Sequence, residues 1–389
     1  MREVAVVSAV RTAIGKAKKG NLKDTRPDDL LAAVLTAALE RAGIEGSDVD
    51  DVVIGTAMPE AEQGMNVARI AALIAGIPDE VPALTINRFC SSGLQSIAQG
   101  ATSIMAGWQD VVLAGGVESM SQIAMGGQKL SPNPTLMAER PEAYTPMGIT
   151  AENVATQFEV SRADQDAFSL QSHTKALAAI AEGRFVAEIV PVQTRVFAGG
   201  AWHDVTVDTD EGPRAGSSIE KLAKLRSPFK AGGSVTAASS SQMSDGAAAT
   251  VLMARDEAER RGLPVLGILR SYQVVGVPPE IMGVGPRYAI PKALEAAGLT
   301  IDDIDVFEVN EAFASQALYC ARELGIPDDK LNPNGGAIAL GHPLGCTGAR
   351  MTATLLHELR RRNARYGVVS MCIGGGMGAA AVYENPDAA

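Results

Sequence analysis

The chain has 389 residues, 46% of them hydrophobic, 20% charged and only 4% aromatic, with a net charge of −11 at pH 7. Such a chain can fill two or three domain-sized cores, and its acidic balance argues against nucleic acid and anionic membrane as partners. Four Cys without CxxC spacing and four scattered His exclude a disulfide framework and leave no expectation of a bound metal.

Val4-Ala5-Val6-Val7 opens the chain as a strand, with no basic n-region before an apolar run and no apolar stretch of spanning length. The expectation is a reduced, cytoplasmic protein without membrane insertion. After the apolar lead Val81 to Ile86 comes Asn87-Arg88-Phe89-Cys90-Ser91-Ser92-Gly93. Leu94, Ile97, Ala98, Ala101, Ile104 and Met105 then recur at helical spacing, Gly107 stops the helix, and Val111 to Ala114 reads as a buried strand. Cys90 therefore sits where a strand feeds a helix, and the helix dipole there is expected to favour thiolate.

From about Ser121 to Pro146 the pattern loosens into Gly, Pro, Asn and Met. Helices are predicted from Thr150 and over Arg162 to Glu182, and residues 183–245 mix short strands, turns and a basic segment. Asp245 to Leu252 restores the core pattern. An insertion of this length, about 119–245, predicts a lid or ligand-holding loop domain.

The chain then repeats itself. Ala38-Leu39-Glu40-Arg41-Ala42-Gly43-Ile44 returns as Ala293-Leu294-Glu295-Ala296-Ala297-Gly298-Leu299, and Ala75-Gly76-Ile77-Pro78-Asp79 as Leu324-Gly325-Ile326-Pro327-Asp328. Cys90 with its helix and strand is echoed by Cys346, its helix, and Val368 to Met371. An offset of about 250 positions means a duplicated domain rather than a solenoid. The halves are set at 1–263, including the insertion, and 269–389. Alternating strands and helices make each an α/β layer with a largely parallel sheet.

Four polar motifs fall at the carboxyl ends of strands, the edge where open α/β sheets bind ligands. Besides Cys90 these are Asn310-Glu311-Ala312-Phe313, the run Gly341-His342-Pro343-Leu344-Gly345-Cys346-Thr347-Gly348, and Cys372-Ile373-Gly374-Gly375-Gly376. Asn310 could equally be a helix N-cap. His342, fixed between Gly and Pro, reads as a working imidazole. The set offers a nucleophile, a base, a second thiol for proton transfer and backbone N–H groups for an oxyanion, which suits acyl transfer through a thioester. No dinucleotide glycine fingerprint, phosphate-binding P-loop or GxSxG elbow is present.

Asn-Arg-Phe-Cys90-Ser-Ser-Gly-Leu-Gln, Asn310-Glu-Ala-Phe-Ala, Gly341-His342-Pro-Leu-Gly-Cys-Thr-Gly-Ala-Arg350 and Cys372-Ile-Gly-Gly-Gly-Met-Gly resemble the signature blocks of the thiolase family, in order and along the whole chain. The resemblance implies the thiolase fold: an α/β protein of two duplicated βαβ-rich halves in five layers (αβαβα) with an inserted loop domain, as a homodimer or homotetramer. It implies Cys90 as the acylated nucleophile, His342 as its base, and Cys372 as the group moving the proton at C2 of an acetyl unit. Asn310 would position a water in one oxyanion hole, and the N–H groups of Cys90 and Gly374 would form the other. Cys346 would be structural. CoA is implied as co-substrate, with no permanently bound cofactor.

For CoA the expected contacts are Met147, Arg214, Lys221, Ala237, Ser241, Ala312 and Phe313. Arg214, Lys221, Lys224, Arg226 and Lys230 crowd one segment, as an anionic ligand requires. Thr236 to Ser241 resembles the family loop along the pantetheine arm, with Ala238-Ser239 where a Gly-Asn pair is usual. Cys90-Ser91-Ser92-Gly93 and Pro146 resemble degradative 3-ketoacyl-CoA thiolases more than acetoacetyl-CoA thiolases, which remain the alternative in the condensing direction. A distant alternative is a non-catalytic CoA- or lipid-binding protein of this shape. The degradative reading leaves room for association with other enzymes of β-oxidation.

Overall fold

The computed structural model describes residues 2–388. In the first half β1 (Val4–Thr12), α1 (Pro27–Ala42), β2 (Asp51–Gly55), α2 (Val67–Ile74), β3 (Ala83–Ile86), α3 (Ser92–Met105) and β4 (Val111–Ser119) follow one another. The insertion carries α4 (Met147–Gln157), α5 (Arg162–Ala181) and a hairpin of Val192–Ala198 with Ala201–Val207. β5 (Ser244–Ala254) closes the first half. The second half runs β6 (Gly267–Gly276), α6 (Gly285–Ala297), β7 (Val306–Val309), α7 (Ala314–Leu324), α8 (Leu344–Arg362), β8 (Tyr366–Ile373) and β9 (Met377–Glu384).

The first-half strands lie in the order β3-β2-β4-β5-β1, and the second-half strands in the order β7-β8-β9-β6. A single parallel bridge, Phe307 to Leu331, stands beside β7 where the first half has β3. The duplication read from the sequence is thus repeated in topology, with one strand reduced to a bridge. β1 and β6 pair antiparallel, Val4 with Leu269 through Val6 with Gly267, and join the two sheets edge to edge.

The expectation of largely parallel sheets needs correcting. β2 is parallel to β3 and β4, but β5 is antiparallel to both β4 and β1. The second half copies this, with β7 parallel to β8 and β9 antiparallel to β8 and β6. β4 and β5 are buried along their whole length, so their continuous apolar runs carry no signal of direction.

Alternation along the strands creates the layers. In β4, Val111, Leu113 and Val117 face the core under α1 and α2, whereas Val112 and Ala114 face the middle. In β8, Val369, Met371 and Ile373 share that middle core, while Val368 turns to the outer core under α6 and α7. α3 and α8 fill the middle and pack on each other. The result is α-β-α-β-α. Contact between the central helices is close enough that a Cβ on Gly348 would lie 2.3 Å from the Leu94 backbone nitrogen, so only glycine fits.

The insertion is anchored by Arg11 of β1, wholly buried, whose guanidinium donates to Glu188 at 2.5 Å and to both oxygens of Asp210 at 2.7 and 2.9 Å. No helix among the described residues is long and apolar enough to cross a membrane. No group of three or more His, Cys, Asp or Glu among them could hold a metal.

Candidate active site

Cys90 lies in the single turn Phe89–Ser91 that leads into α3, with 8% of its surface exposed. Phe89 before it has φ +43°, a left-handed conformation costly for an aromatic residue. The Asn87 carboxamide holds it there by accepting from the Phe89 N–H at 2.8 Å. The backbone N–H groups of Gly374 and of Cys90 itself both reach the Cys90 sulfur. Gly374 follows β8 of the other half.

The thiolate expected from the helix dipole is not found. Burial pushes the Cys90 thiol up to about 11, with the two N–H groups only partly offsetting it and Glu118 adding to the rise. Desolvation of the charged form outweighs the helix terminus. Cys90 is therefore a thiol at rest.

His342 stands between Gly341 and Pro343, just ahead of α8, and is 4% exposed. Gly341 has φ +108°, outside the range of other residues. Burial, with the Arg350 guanidinium adding to it, pushes the imidazole down to about 3, so it is neutral. Its tautomer can be derived. Thr347 donates its hydroxyl to the Pro343 carbonyl at 3.0 Å and lies 2.6 Å from His342 Nδ1. With its proton so engaged, Thr347 Oγ1 accepts from Nδ1–H, and the lone pair falls on Nε2. Nε2 faces the Asn310 Nδ2 amide at 3.3 Å. Thr347→Val keeps the shape and removes the acceptor, so acylation is expected to slow about 10- to 100-fold. Thr347→Ser should restore it; the acylation pH profile of the three proteins checks this.

Asn310 follows β7 and is 1% exposed, with no protein partner for its Oδ1. It is not a helix N-cap: α7 starts at Ala314 and Phe313 caps it. Cys372 ends β8, is wholly buried, and donates its S–H to Gln316 Oε1 at 2.8 Å. Burial pushes it well up, and nearby Cys90 adds to the rise. It is an acid at rest. Gln316 in turn donates to the Asn310 carbonyl at 3.2 Å.

Met147, Ala312 and Phe313 pack with Cys372 in one small apolar cluster. Met147 Sδ lies 3.7 Å from where a Cβ on Gly374 would stand. Ser241 donates its N–H to the Ala312 carbonyl at 2.9 Å, which ties the Thr236–Ser241 loop to the Asn310 segment. That loop also braces itself, Thr236 Oγ1 accepting from the Ser239 N–H at 3.1 Å. Arg214, Lys221 and Ala237 lie exposed, apart from this cluster. Lys221 Nζ donates to the Gly216 carbonyl at 2.6 Å, and the Arg214 N–H to His173 Nδ1 at 3.3 Å. Cys346 is wholly buried in the middle core, its thiol pushed up to about 12.

Sequence reasoning missed Thr347, Gln316 and Glu118. Thr347 was five positions from His342 in a motif already singled out. Gln316 was six from Asn310, on the helix that follows it. Glu118 stood at the end of a strand beside two glycines, with nothing local to reveal its partners.

A fold of two duplicated α/β halves, with the Cys90 turn of one half packed against the elements of the other that carry a thiol, an imidazole and the Gly374 N–H, defines an acyl-transfer enzyme. Residues 4–256 match the family described as thiolase, N-terminal domain, and residues 263–385 the thiolase, C-terminal domain. The chain belongs to the thiolase family. It is 54% identical to the 3-ketoacyl-CoA thiolase of Bacillus subtilis (strain 168) over 99% of its own length and 100% of that protein's. Among solved structures it is similar to the dimeric peroxisomal thiolase of Saccharomyces cerevisiae, with TM-score 0.90, 46% identity and coverage of 99% and 97% of the two chains. It is also similar to human mitochondrial 3-ketoacyl-CoA thiolase in complex with CoA, with TM-score 0.89, 41% identity and coverage of 99% and 98%.

Proposed function

We propose that this protein cleaves 3-ketoacyl-CoA with CoA, giving acetyl-CoA and an acyl-CoA shortened by the acetyl unit. The observation that carries the reading is the packing of the Cys90 turn of the first half against β8, which holds Cys372, and α8, which follows His342, in the second. Full-length likeness to proteins named for this activity supports it. His342 Nε2 takes the Cys90 proton, and the sulfur attacks the C3 carbonyl. The oxygen that gains charge is held by the N–H groups of Cys90 and Gly374. The C2–C3 bond breaks, leaving acyl-Cys90 and the enolate of acetyl-CoA. That oxygen is held on the His342–Asn310 side, where Asn310 positions a water. Cys372 gives its S–H proton to C2, and acetyl-CoA leaves. The Cys372 thiolate then takes the proton of incoming CoA, whose sulfur displaces the acyl group. His342 returns the first proton to Cys90, and the cycle balances.

Free CoA is the co-substrate, and no resident cofactor enters the scheme. Met147, Ala312, Phe313 and Ser241 are assigned to its pantetheine arm, beside Cys372. Ala237 is assigned to the arm's outer part. Arg214, Lys221, Lys224, Arg226 and Lys230 are assigned to its phosphates, since they are exposed and none forms an ion pair among the described residues. A homodimer is part of the proposal. Edge strand β3 exposes Leu84, and neighbouring α2 exposes Leu73 and Ile74. The four cysteines are all free thiols, which suits a reducing compartment, here the cytoplasm. The test is a chain-length profile: 3-ketooctanoyl-CoA should be cleaved at least as efficiently as acetoacetyl-CoA, by kcat/KM. Turnover of acetoacetyl-CoA alone would overturn the 3-ketoacyl reading in favour of an acetyltransferase.

A further inference from the structure

Glu118 ends β4 in the first half and is 1% exposed, yet its carboxylate has five donors and no cation beside it. Oε2 accepts from the Ala57 N–H at 2.7 Å and the Gly345 N–H at 2.8 Å. Oε1 accepts from Gln63 Nε2 at 2.6 Å, and from Thr56 Oγ1 and the Met58 N–H at 3.3 Å each. The two donors on Oε2 belong to different halves. Ala57 follows β2, and its carbonyl accepts from Asn87 Nδ2 at 3.0 Å, the residue whose other atom fixes the turn into Cys90. Gly345 is in the first turn of α8, three residues after His342, and its N–H is one of those a helix leaves without an internal partner. Between the two tethers, Ala57, Cys90, Met120 and Leu344 pack as one small apolar cluster.

Burial pushes the Glu118 carboxyl up, and its hydrogen bonds offset part of the cost of keeping a carboxylate there. We propose that Glu118 is a positioning residue that sets the distance between Cys90 and His342, one carboxylate oxygen tethering the Cys90 turn of the first half to the His342 helix of the second. It touches neither substrate nor the reacting atoms. Its negative end at the start of α8 also offsets the helix dipole. Burial keeps the resting Cys90 sulfur protonated, and the Glu118 charge adds to that effect.

Glu118→Gln keeps the shape but removes the charge, and it turns an amide N–H₂ toward donors at one oxygen position or the other. Glu118→Asp keeps the charge but withdraws it by one methylene. Both are to be assayed by single-turnover acylation of Cys90 from an acyl-CoA, read as a mass shift. The pH midpoint of Cys90 alkylation by iodoacetamide is measured alongside. In Glu118→Gln, acylation should fall ten- to a hundredfold with KM for the acyl-CoA within twofold, and the alkylation midpoint should move to lower pH. In Glu118→Asp, acylation should fall while the midpoint stays near that of the parent. Acylation within twofold of the parent in both variants would overturn the proposal. So would a loss that tracks the folded fraction by circular dichroism, with no midpoint shift in Glu118→Gln. The proposal rests on Cys90 as nucleophile, and the Cys90→Ala control keeps the two failures apart: an acyl mark surviving in that variant sinks the nucleophile assignment instead.

Discussion

Replacing Cys372 by alanine should leave Cys90 open to acylation by an acyl-CoA yet stop carbon–carbon cleavage. The reason lies in what each step asks of the sulfur. Acylation from a simple thioester needs the His342 base and the oxyanion N–H groups; the Cys372 proton serves there only the departing CoA thiolate, a leaving group of low pKa that can take its proton from solvent. Cleavage expels a carbanion equivalent, and its carbon must receive a proton as the bond breaks. Cys372 is placed for this, its S–H held by Gln316 at 2.8 Å and kept protonated by complete burial. The thiolysis kcat of Cys372→Ala should fall by at least ~10³-fold, while the acyl mark on Cys90 forms within about tenfold of the parent rate. Quenched-flow acylation and steady-state thiolysis on one preparation give both numbers. Equal loss of the two would refute the division of labour between the thiols.

What could be read from the sequence, and what could not, follows from the range of the interactions. The four motifs were legible because each is local: a strand, a polar residue, then glycines or a helix. The duplication was legible because copied segments keep their spacing, and the structure repeats it down to the bridge at Leu331 that stands in for a strand. The direction of β5 was not, since a strand buried on both faces reads the same in either sense. Nor was the state of Cys90. A helix start is visible in a sequence and favours thiolate; the desolvation that overrules it is set by residues such as Leu344, more than two hundred positions away. Glu118 escaped for the same reason, because its donors run from Thr56 to Gly345.

The protonation states of Cys90 and His342 give the second large effect. With the Cys90 thiol pushed up to about 11 and the His342 imidazole pushed down to about 3, both rest neutral, not as thiolate and imidazolium. The sign of the pH dependence follows. In the free protein, alkylation of Cys90 by iodoacetamide should be slow near neutrality and rise about tenfold per pH unit toward alkaline pH, because only thiolate reacts. Titration of His342 far below neutrality should leave no break between about pH 5 and 9. Acylation by acyl-CoA is another matter, because there the proton leaves as the bond forms. His342→Ala should therefore slow acylation by roughly 10²- to 10⁴-fold. It should hardly change alkylation at alkaline pH, where hydroxide does the base's work. A thiolate–imidazolium pair would behave in the opposite way: an alkylation midpoint near neutral pH, abolished in His342→Ala. Such a midpoint would mean that the buried pair transfers its proton before substrate arrives, and that His342 enters the reaction as an acid rather than as a base.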